Sequence, residues 1–163
     1  MLKIDEILQT LNDYGVDYIL IGGVNFLINH EMINTQDVDV WIADDEENHK
    51  KLLAALRKMG AAWGPTEREW KPVAENTNWI KKQPVLCLTT DLGALDVFRF
   101  VKGLDDYQAS KQRAALKHTA AGVKFLSLSD EDMLRCQEVL DPREQKLDRM
   151  RTLREAIVRK QQP

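Results

Sequence analysis

The sequence predicts an α/β (α+β) fold, because short β-type apolar runs alternate with segments whose apolar residues recur at helical spacing. The clearest β-type run is Tyr18–Ile21, which ends at Gly22 and Gly23. A second run, Asp37–Ile42, alternates carboxylates with valines as a half-buried strand does. With 163 residues the chain is long enough to bury a core, so one domain over 1–163 is the simplest organisation.

Three helices are predicted around these two strands. Residues 3–13 carry apolar side chains at helical spacing, and Gly15 ends that helix. A short helix is expected after Gly23, reaching about His30. Residues 44–60 begin with four acids, which the macrodipole favours in a first helical turn, so we interpret these acids as part of a helix start rather than as metal ligands.

The next two strands are predicted to form an antiparallel hairpin. Residues 85–90 and 95–101 are apolar β-type runs on either side of the turn 91–93. The hairpin places Asp96 near the first two strands. If strand 95–101 is regular, Arg99 points away from the face that carries Asp96, which makes Arg99 a weak candidate for binding phosphate.

The C-terminal part is predicted to be mainly helical. A helix is expected over 105–115, and a helical segment runs from about 129 to 160, with its last helix beginning near Pro142. Ser129 starts this segment with a capping-box-like pattern. The last helix is rich in Lys and Arg; a solvated face explains this most simply, and a contact with RNA or an acidic protein stays open.

Residues 63–82 mix three tryptophans with Arg and Lys. Trp63, Trp70 and Trp79 could anchor a segment that covers a sheet edge, which is the interpretation we favour. Stacking of the same aromatic residues on a base or another aromatic ligand is the alternative.

The net charge, the two cysteines and the apolar runs of the sequence limit which classes of function are possible. The net charge of −3 argues against a dedicated nucleic-acid binder. Cys87 and Cys136 have no metal-ligand spacing, so we expect two buried, reduced thiols. The start of the sequence lacks a hydrophobic signal core, and no apolar run has membrane-spanning length, so we expect a cytoplasmic protein without a membrane partner.

The candidate site is built on the first two strands. Asp37 and Asp39 fall on one face of their strand, and two neighbouring carboxylates repel each other unless a cation lies between them. A divalent metal ion is the usual reason for that arrangement. Gly22 and Gly23 allow a phosphate to approach the backbone closely and leave N–H groups free at a helix start.

Taken together, the order of these motifs resembles the signature of the DNA polymerase beta-type nucleotidyltransferase superfamily. The shared pattern is an apolar run, Gly22-Gly23, a spacer over 24–36, and then Asp37-Val38-Asp39-Val40. Asp96, within Leu95-Asp96-Val97-Phe98, fits the third carboxylate of that family. The resemblance covers roughly residues 4–135 and is closest to small single-domain members, which include toxins and antibiotic-modifying enzymes. It implies a twisted mixed sheet with helices mainly on one face.

The resemblance also implies a chemistry. Asp37, Asp39 and Asp96 would be the catalytic, metal-binding residues of a site with two Mg²⁺ ions, and a nucleoside triphosphate would be the donor. Gly22 and Gly23 would contact its β- and γ-phosphates. Asp96 would help to deprotonate an acceptor hydroxyl, which then attacks the α-phosphorus as pyrophosphate leaves. The acceptor could be a small molecule, an RNA end or a protein.

The sequence departs from the family pattern in its positive charges. Ile33 stands where many small members have Arg, and Val24 stands where a Ser often helps to bind phosphate. Residues 24–36 contain no Lys or Arg. The charge of a triphosphate must then be met by metal, backbone amides and basic residues from elsewhere, such as Arg68, Lys71, Lys81 or Lys124.

Two classes of function follow from this pattern. The favoured one is an Mg²⁺-dependent nucleotidyltransferase. The alternative is a catalytically lapsed module that keeps the fold to bind a partner protein, as in a toxin–antitoxin type pair, or a second copy of itself. A Rossmann dinucleotide site is disfavoured because G-x-G-x-x-G is incomplete, and a Walker loop because G-K-[ST] is missing.

Overall fold

The computed structural model describes residues 1–104 and 106–162. Within these residues the chain forms six α-helices and an eight-stranded mixed sheet, so the predicted fold class is confirmed. The helices are α1 (Ile4–Asp13), α2 (Gly22–Asn29), α3 (Glu46–Lys58), α4 (Tyr107–Arg113), α5 (Asp130–Glu138) and α6 (Leu147–Gln161). The strands are β1 (Tyr18–Ile21), β2 (Asp37–Ile42), β3 (Ala62–Trp63), β4 (Lys71–Pro72), β5 (Val85–Thr90), β6 (Gly93–Phe98), β7 (Ala115–His118) and β8 (Lys124–Ser127).

The strand order in the sheet is β4-β3-β5-β6-β2-β1-β8-β7. Two of the pairings are parallel, β2 with β6 and β1 with β8, and the other five are antiparallel. The predicted hairpin is confirmed as the antiparallel pair of β5 and β6. Since β2 lies between β1 and β6, the Gly-Gly turn and all three predicted carboxylates meet at the centre of the sheet.

Alternation along the strands divides the core into two clusters. Val38 and Val40 of β2 join the larger cluster, which lies between the sheet and helices α1 and α3. Trp41 faces the opposite side and joins a smaller cluster with Met133 of α5 and Leu153 of α6. Helices α5 and α6 therefore cover one end of the face that carries the carboxylates, and this face is only partly open.

Several boundaries differ from the prediction. β6 ends at Phe98 rather than residue 101, because Arg99 turns out of the strand to bond to Asp44. The last helix begins at Leu147 rather than Pro142, since Asp141 binds the backbone and side chain of Arg143 in a turn before it. Of the helix expected over 105–115, Tyr107–Arg113 is helical, Ala115 opens a strand, and Asp105 lies outside the described residues.

None of the helices within the described residues is long and apolar enough to cross a bilayer.

Candidate active site

Asp37, Asp39 and Asp96 converge on the face of the sheet opposite to α1 and α3. β2 and β6 are parallel neighbours, and their register pairs Asp39 with Asp96. Side chains at paired positions of neighbouring strands point to the same face. One carboxylate oxygen from each residue lies within 4.8 Å of the other two, which is close enough to share a metal ion. The structure thus brings together the three predicted carboxylates.

Gly22 packs directly against Asp39 of this cluster. Its φ of 70° lies in the left-handed region, and a Cβ there would stand 2.2 Å from Oδ2 of Asp39. Only glycine lets the chain turn from β1 into α2 this close to the carboxylate. Ile21 precedes the helix and offers no side chain to cap it, so the first backbone N–H groups of α2 keep their capacity to bind an anion.

Buried polar contacts fix the orientation of α2. Asn25 is fully buried and donates from Nδ2 to the Leu128 carbonyl, 3.2 Å away. Its Oδ1 accepts a 2.8 Å hydrogen bond from the Ser127 hydroxyl of β8. Gly23 lies against Thr35, whose Oγ1 would be 3.0 Å from a Cβ at Gly23. Both glycines are therefore held in place by side chains that the Gly-Gly motif alone does not indicate.

Burial and the neighbouring carboxylates raise the pKa values of Asp39 and Asp96. Burial, followed by the charges of Asp37 and Asp96, raises the pKa of Asp39 to about 8, and Arg149 opposes this shift. Burial and the charge of Asp37 raise the pKa of Asp96 to about 6. A cluster of this kind gains stability from a cation placed between its members.

The donor set suits a hard divalent cation. It consists of carboxylate oxygens on rigid strands, which are the ligands that Mg²⁺ prefers. Cys87, directly opposite Asp96 in the β5–β6 register, is the nearest softer donor on that face. Among the described residues, the metal-ligand cluster contains these three aspartates and no histidine or cysteine.

The expectation that Cys87 is buried is wrong. In β5 the side chains of Leu86 and Leu88 point into the core, so Cys87 between them points to the carboxylate face, where it is exposed. Cys136 on α5 is a half-buried free thiol.

A cavity of about 220 Å³ opens beside the carboxylates. Gly22 and Asp39 lie at one side, and apolar side chains such as Phe26 and Phe98 form much of the wall. Helices α5 and α6 close the other side and contribute the guanidinium of Arg149. The cavity therefore adjoins the candidate metal site at Asp39, and the rest of its wall is largely apolar.

The cations proposed from the sequence do not reach this cavity. Within the part of the chain that the structure describes, its basic lining residues are Lys102 and Arg149. Lys81 instead pairs with Glu46 at 3.1 Å. Arg99 follows the end of β6 and does not line the cavity; it binds both carboxylate oxygens of Asp44 at 2.9 and 3.1 Å. The remaining candidates, Arg68, Lys71 and Lys124, line other parts of the surface.

The tryptophan-rich segment covers a sheet edge, the interpretation favoured from its sequence. Trp79 is buried in the larger core and packs on Trp63, with 4.9 Å between the ring centroids. β3 and β4 of this segment form the end of the sheet. Trp70 is exposed, and none of the three tryptophans lines the cavity at the carboxylates.

This combination of a sheet with a β1–Gly-Gly–α2 turn and carboxylates on β2 and β6 defines the nucleotidyltransferase fold. Solved structures with the same fold include the lincosamide antibiotic adenylyltransferase LnuA bound to lincomycin, at 13% sequence identity and a TM-score of 0.61. That alignment covers 93% of this chain and 94% of LnuA. A second is ANT(2″)-Ia in complex with adenylyl-2″-tobramycin, at 12% identity, a TM-score of 0.58 and coverage of 94% and 87%. No protein-family model and no curated protein sequence matches the chain.

Proposed function

We propose that this chain is a single-domain, Mg²⁺-dependent nucleotidyltransferase that moves NMP from an NTP to a hydroxyl group of a small molecule. The observation that carries the proposal is the convergence of Asp37, Asp39 and Asp96 beside Gly22. Repelling carboxylates next to a free helix N-terminus make a poor structural element. They make a good site for a metal-bound phosphate.

Each of these residues has a role in the proposal. Asp37 and Asp39 would hold a divalent ion for the triphosphate, and Asp96 would join them in holding a second ion. When bound, Mg²⁺ neutralises phosphate charge and lowers the pKa of a hydroxyl group. Gly22 and Gly23 present backbone N–H groups to the β- and γ-phosphates without a Cβ in the way.

In the transfer step, one bond to the α-phosphorus forms as another breaks. Asp96 takes the proton of the acceptor hydroxyl, and the resulting oxygen forms a bond to the α-phosphorus. The bond between the α-phosphorus and the bridging oxygen to the β-phosphorus breaks in line with it. Pyrophosphate leaves from the side of Gly22 and Gly23.

The structural relatives support a small-molecule acceptor and make ATP the first donor to test. LnuA is described as a lincosamide adenylyltransferase and is bound to lincomycin. ANT(2″)-Ia is in complex with an adenylylated tobramycin. Both acceptors are small molecules rather than polymers.

Turnover with labelled donors tests the proposal. The purified protein is incubated with Mg²⁺, each of the four α-³²P NTPs, and either hydroxyl-rich antibiotics or a small-molecule cell extract. We expect a labelled acceptor and stoichiometric pyrophosphate. The non-catalytic alternative instead predicts no turnover with any NTP and a partner protein that co-purifies, and that result would contradict the proposal.

A further inference from the structure

The segment that joins the two halves of the candidate site has no positively charged side chain to offset the charge of a triphosphate. Residues 24–36, which join Gly23 to Asp37, contain no Lys or Arg, although a triphosphate carries up to about four negative charges that two divalent ions share with the carboxylates. Helix α6, which comes from the far end of the chain, crosses the carboxylate face. Of the two basic residues that line the cavity beside Asp39 within the described part of the chain, Lys102 and Arg149, Arg149 is the one on α6.

Arg149 is the α6 residue that reaches the site. It lines the same cavity as Gly22 and Asp39, and its Cζ lies 5.6 Å from the ring centroid of Phe26. Phe26 stands one turn after Gly22 on α2, and Gly22, Phe26 and Arg149 all line this cavity. Gly22 begins α2, and the start of a helix is the end to which an anion would bind.

Helix α6 is fixed where it carries Arg149. Met150 and Leu153 are buried in the core, one of them directly beside Arg149 in sequence. Near the C-terminal end of α6, Lys160 binds Asp130 at 2.6 Å, and the other oxygen of Asp130 binds His30 at 2.7 Å. This chain of contacts ties the end of α6 to the end of α2 through Asp130.

Arg149 has no carboxylate partner that would explain its position. Within residues 1–104 and 106–162 it forms no ion pair of 4.0 Å or less, whereas Arg151 and Lys160 of the same helix pair with Asp148 and Asp130. The charge that acts on Arg149 is that of Asp39, a candidate metal ligand in the same cavity. A half-buried cation over an apolar ring, without an ion pair, is available to an incoming anion.

We propose that Arg149 binds non-bridging phosphate oxygens of the donor triphosphate and supplies the positive charge that residues 24–36 lack. The inference rests on the proposed function and names a donor-binding residue for it. The planar fork of a guanidinium matches two phosphate oxygens, which a lysine at the same place would not do.

Equilibrium binding tests the role of Arg149 without knowledge of the acceptor. The probes are the α,β-methylene analogues of the four NTPs, which cannot transfer NMP, together with Mg²⁺; adenosine serves as a phosphate-free ligand. The variants are Arg149→Gln and Arg149→Lys. The matched control is Arg154→Gln, because Arg154 is exposed, about 140° further round the same helix, and does not line the cavity.

We expect Arg149→Gln to bind the triphosphate analogue about 10- to 100-fold more weakly than the wild type, as for the loss of charged hydrogen bonds. Arg149→Lys keeps the charge and should fall between the two, while Arg154→Gln should match the wild type. Adenosine binding, followed by NMR shifts, should be equal in all four proteins.

Equal triphosphate affinity in the wild type and both Arg149 variants overturns the assignment of Arg149 and leaves the proposed function standing. An equal loss for adenosine and triphosphate also overturns it, because Arg149 would then support the fold rather than the phosphates. If the wild type binds none of the analogues, the proposed function fails as well. Melting curves of each variant identify any that does not fold, and Arg149→Lys then decides the question.

Discussion

Gly22 and Asp39 are in such close contact that a Cβ on Gly22 would stand 2.2 Å from the carboxylate oxygen Oδ2. The turn and the carboxylate therefore cannot change independently. Because both lie at the candidate site, this contact joins the expected phosphate contact to the expected metal ligand.

Gly22→Ala should damage both stability and the site. The φ of 70° strains an alanine by about 1–3 kcal/mol, and the new methyl group must push Asp39 aside. Denaturant unfolding and NMP transfer measure the two effects. Gly122→Ala is the control, since Gly122 has a φ of 88° with nothing within 4 Å of a Cβ. Equal effects of the two substitutions on NMP transfer would contradict the importance of the contact.

Asp37→Asn and Asp39→Asn should each reduce NMP transfer about 100-fold or more, because a neutral amide cannot replace the charge that holds the metal. Steady-state rates with saturating NTP and Mg²⁺ measure this. Glu47→Gln is a suitable control, since Glu47 is an exposed acid on α3 that pairs only loosely with Lys51 at 3.6 Å. Full activity in either aspartate variant would place the chemistry elsewhere.

Mg²⁺ should stabilise the wild type through binding to the carboxylates. For a dissociation constant near ~1 mM and ~10 mM metal, the free energy of unfolding rises by about 1.4 kcal/mol. In a domain of this size the melting temperature then rises by roughly 3–6 °C. The double variant Asp37→Asn/Asp39→Asn should lose most of this response at matched ionic strength. An equal response in both proteins would rule out metal binding at this pair.

Without metal, stability should depend on pH through Asp39. Its pKa is about 8 in the folded protein, against about 4 for an unfolded Asp. Between these values the folded state holds a proton that the unfolded state has released, so the free energy of unfolding falls as the pH rises. The loss is complete above the folded pKa and absent below the unfolded one.

We therefore expect the wild type in EDTA to lose stability from about pH 5 to pH 8, by up to about 1.4 kcal/mol per pH unit. Asp39→Asn should give a flatter curve, and Mg²⁺ should flatten the wild-type curve. Urea unfolding across this range measures all three. A wild-type curve as flat as that of Asp39→Asn would mean that Asp39 is ionised in the metal-free fold.

The carboxylates could be predicted from sequence because strand alternation is local. Asp37 and Asp39 share a face whatever surrounds them, and the hairpin turn at Gly93 fixes which face Asp96 takes. The same alternation, applied to Leu86 and Leu88, predicts an exposed Cys87, whereas the chemical type of a cysteine alone favours burial.

Arg149 could not be predicted in this way. Its approach to Asp39 depends on how α6 crosses the sheet, and that crossing is set by tertiary contacts such as the one between Lys160 and Asp130. The helical period of α6 shows which side is apolar, but not which strands lie beneath it. The sequence does not predict strand β7 for a related reason: all four of its residues are exposed, and its strand partner among the described residues is β8.

The parallel pairing of β2 with β6 also determines when the site comes into existence during folding. Asp96 enters the sheet with the β5–β6 hairpin, whose contacts are local, whereas Asp39 enters on a strand from a distant part of the chain. Joining the two requires the closure of a long loop, which is slow compared with the formation of a hairpin. A chain in which the β5–β6 hairpin has formed but β2 and β6 are still apart has no carboxylate cluster to which a metal ion can bind. Metal binding at the proposed site would therefore act on the fully assembled sheet and stabilise the native state against unfolding, without guiding the early steps of folding.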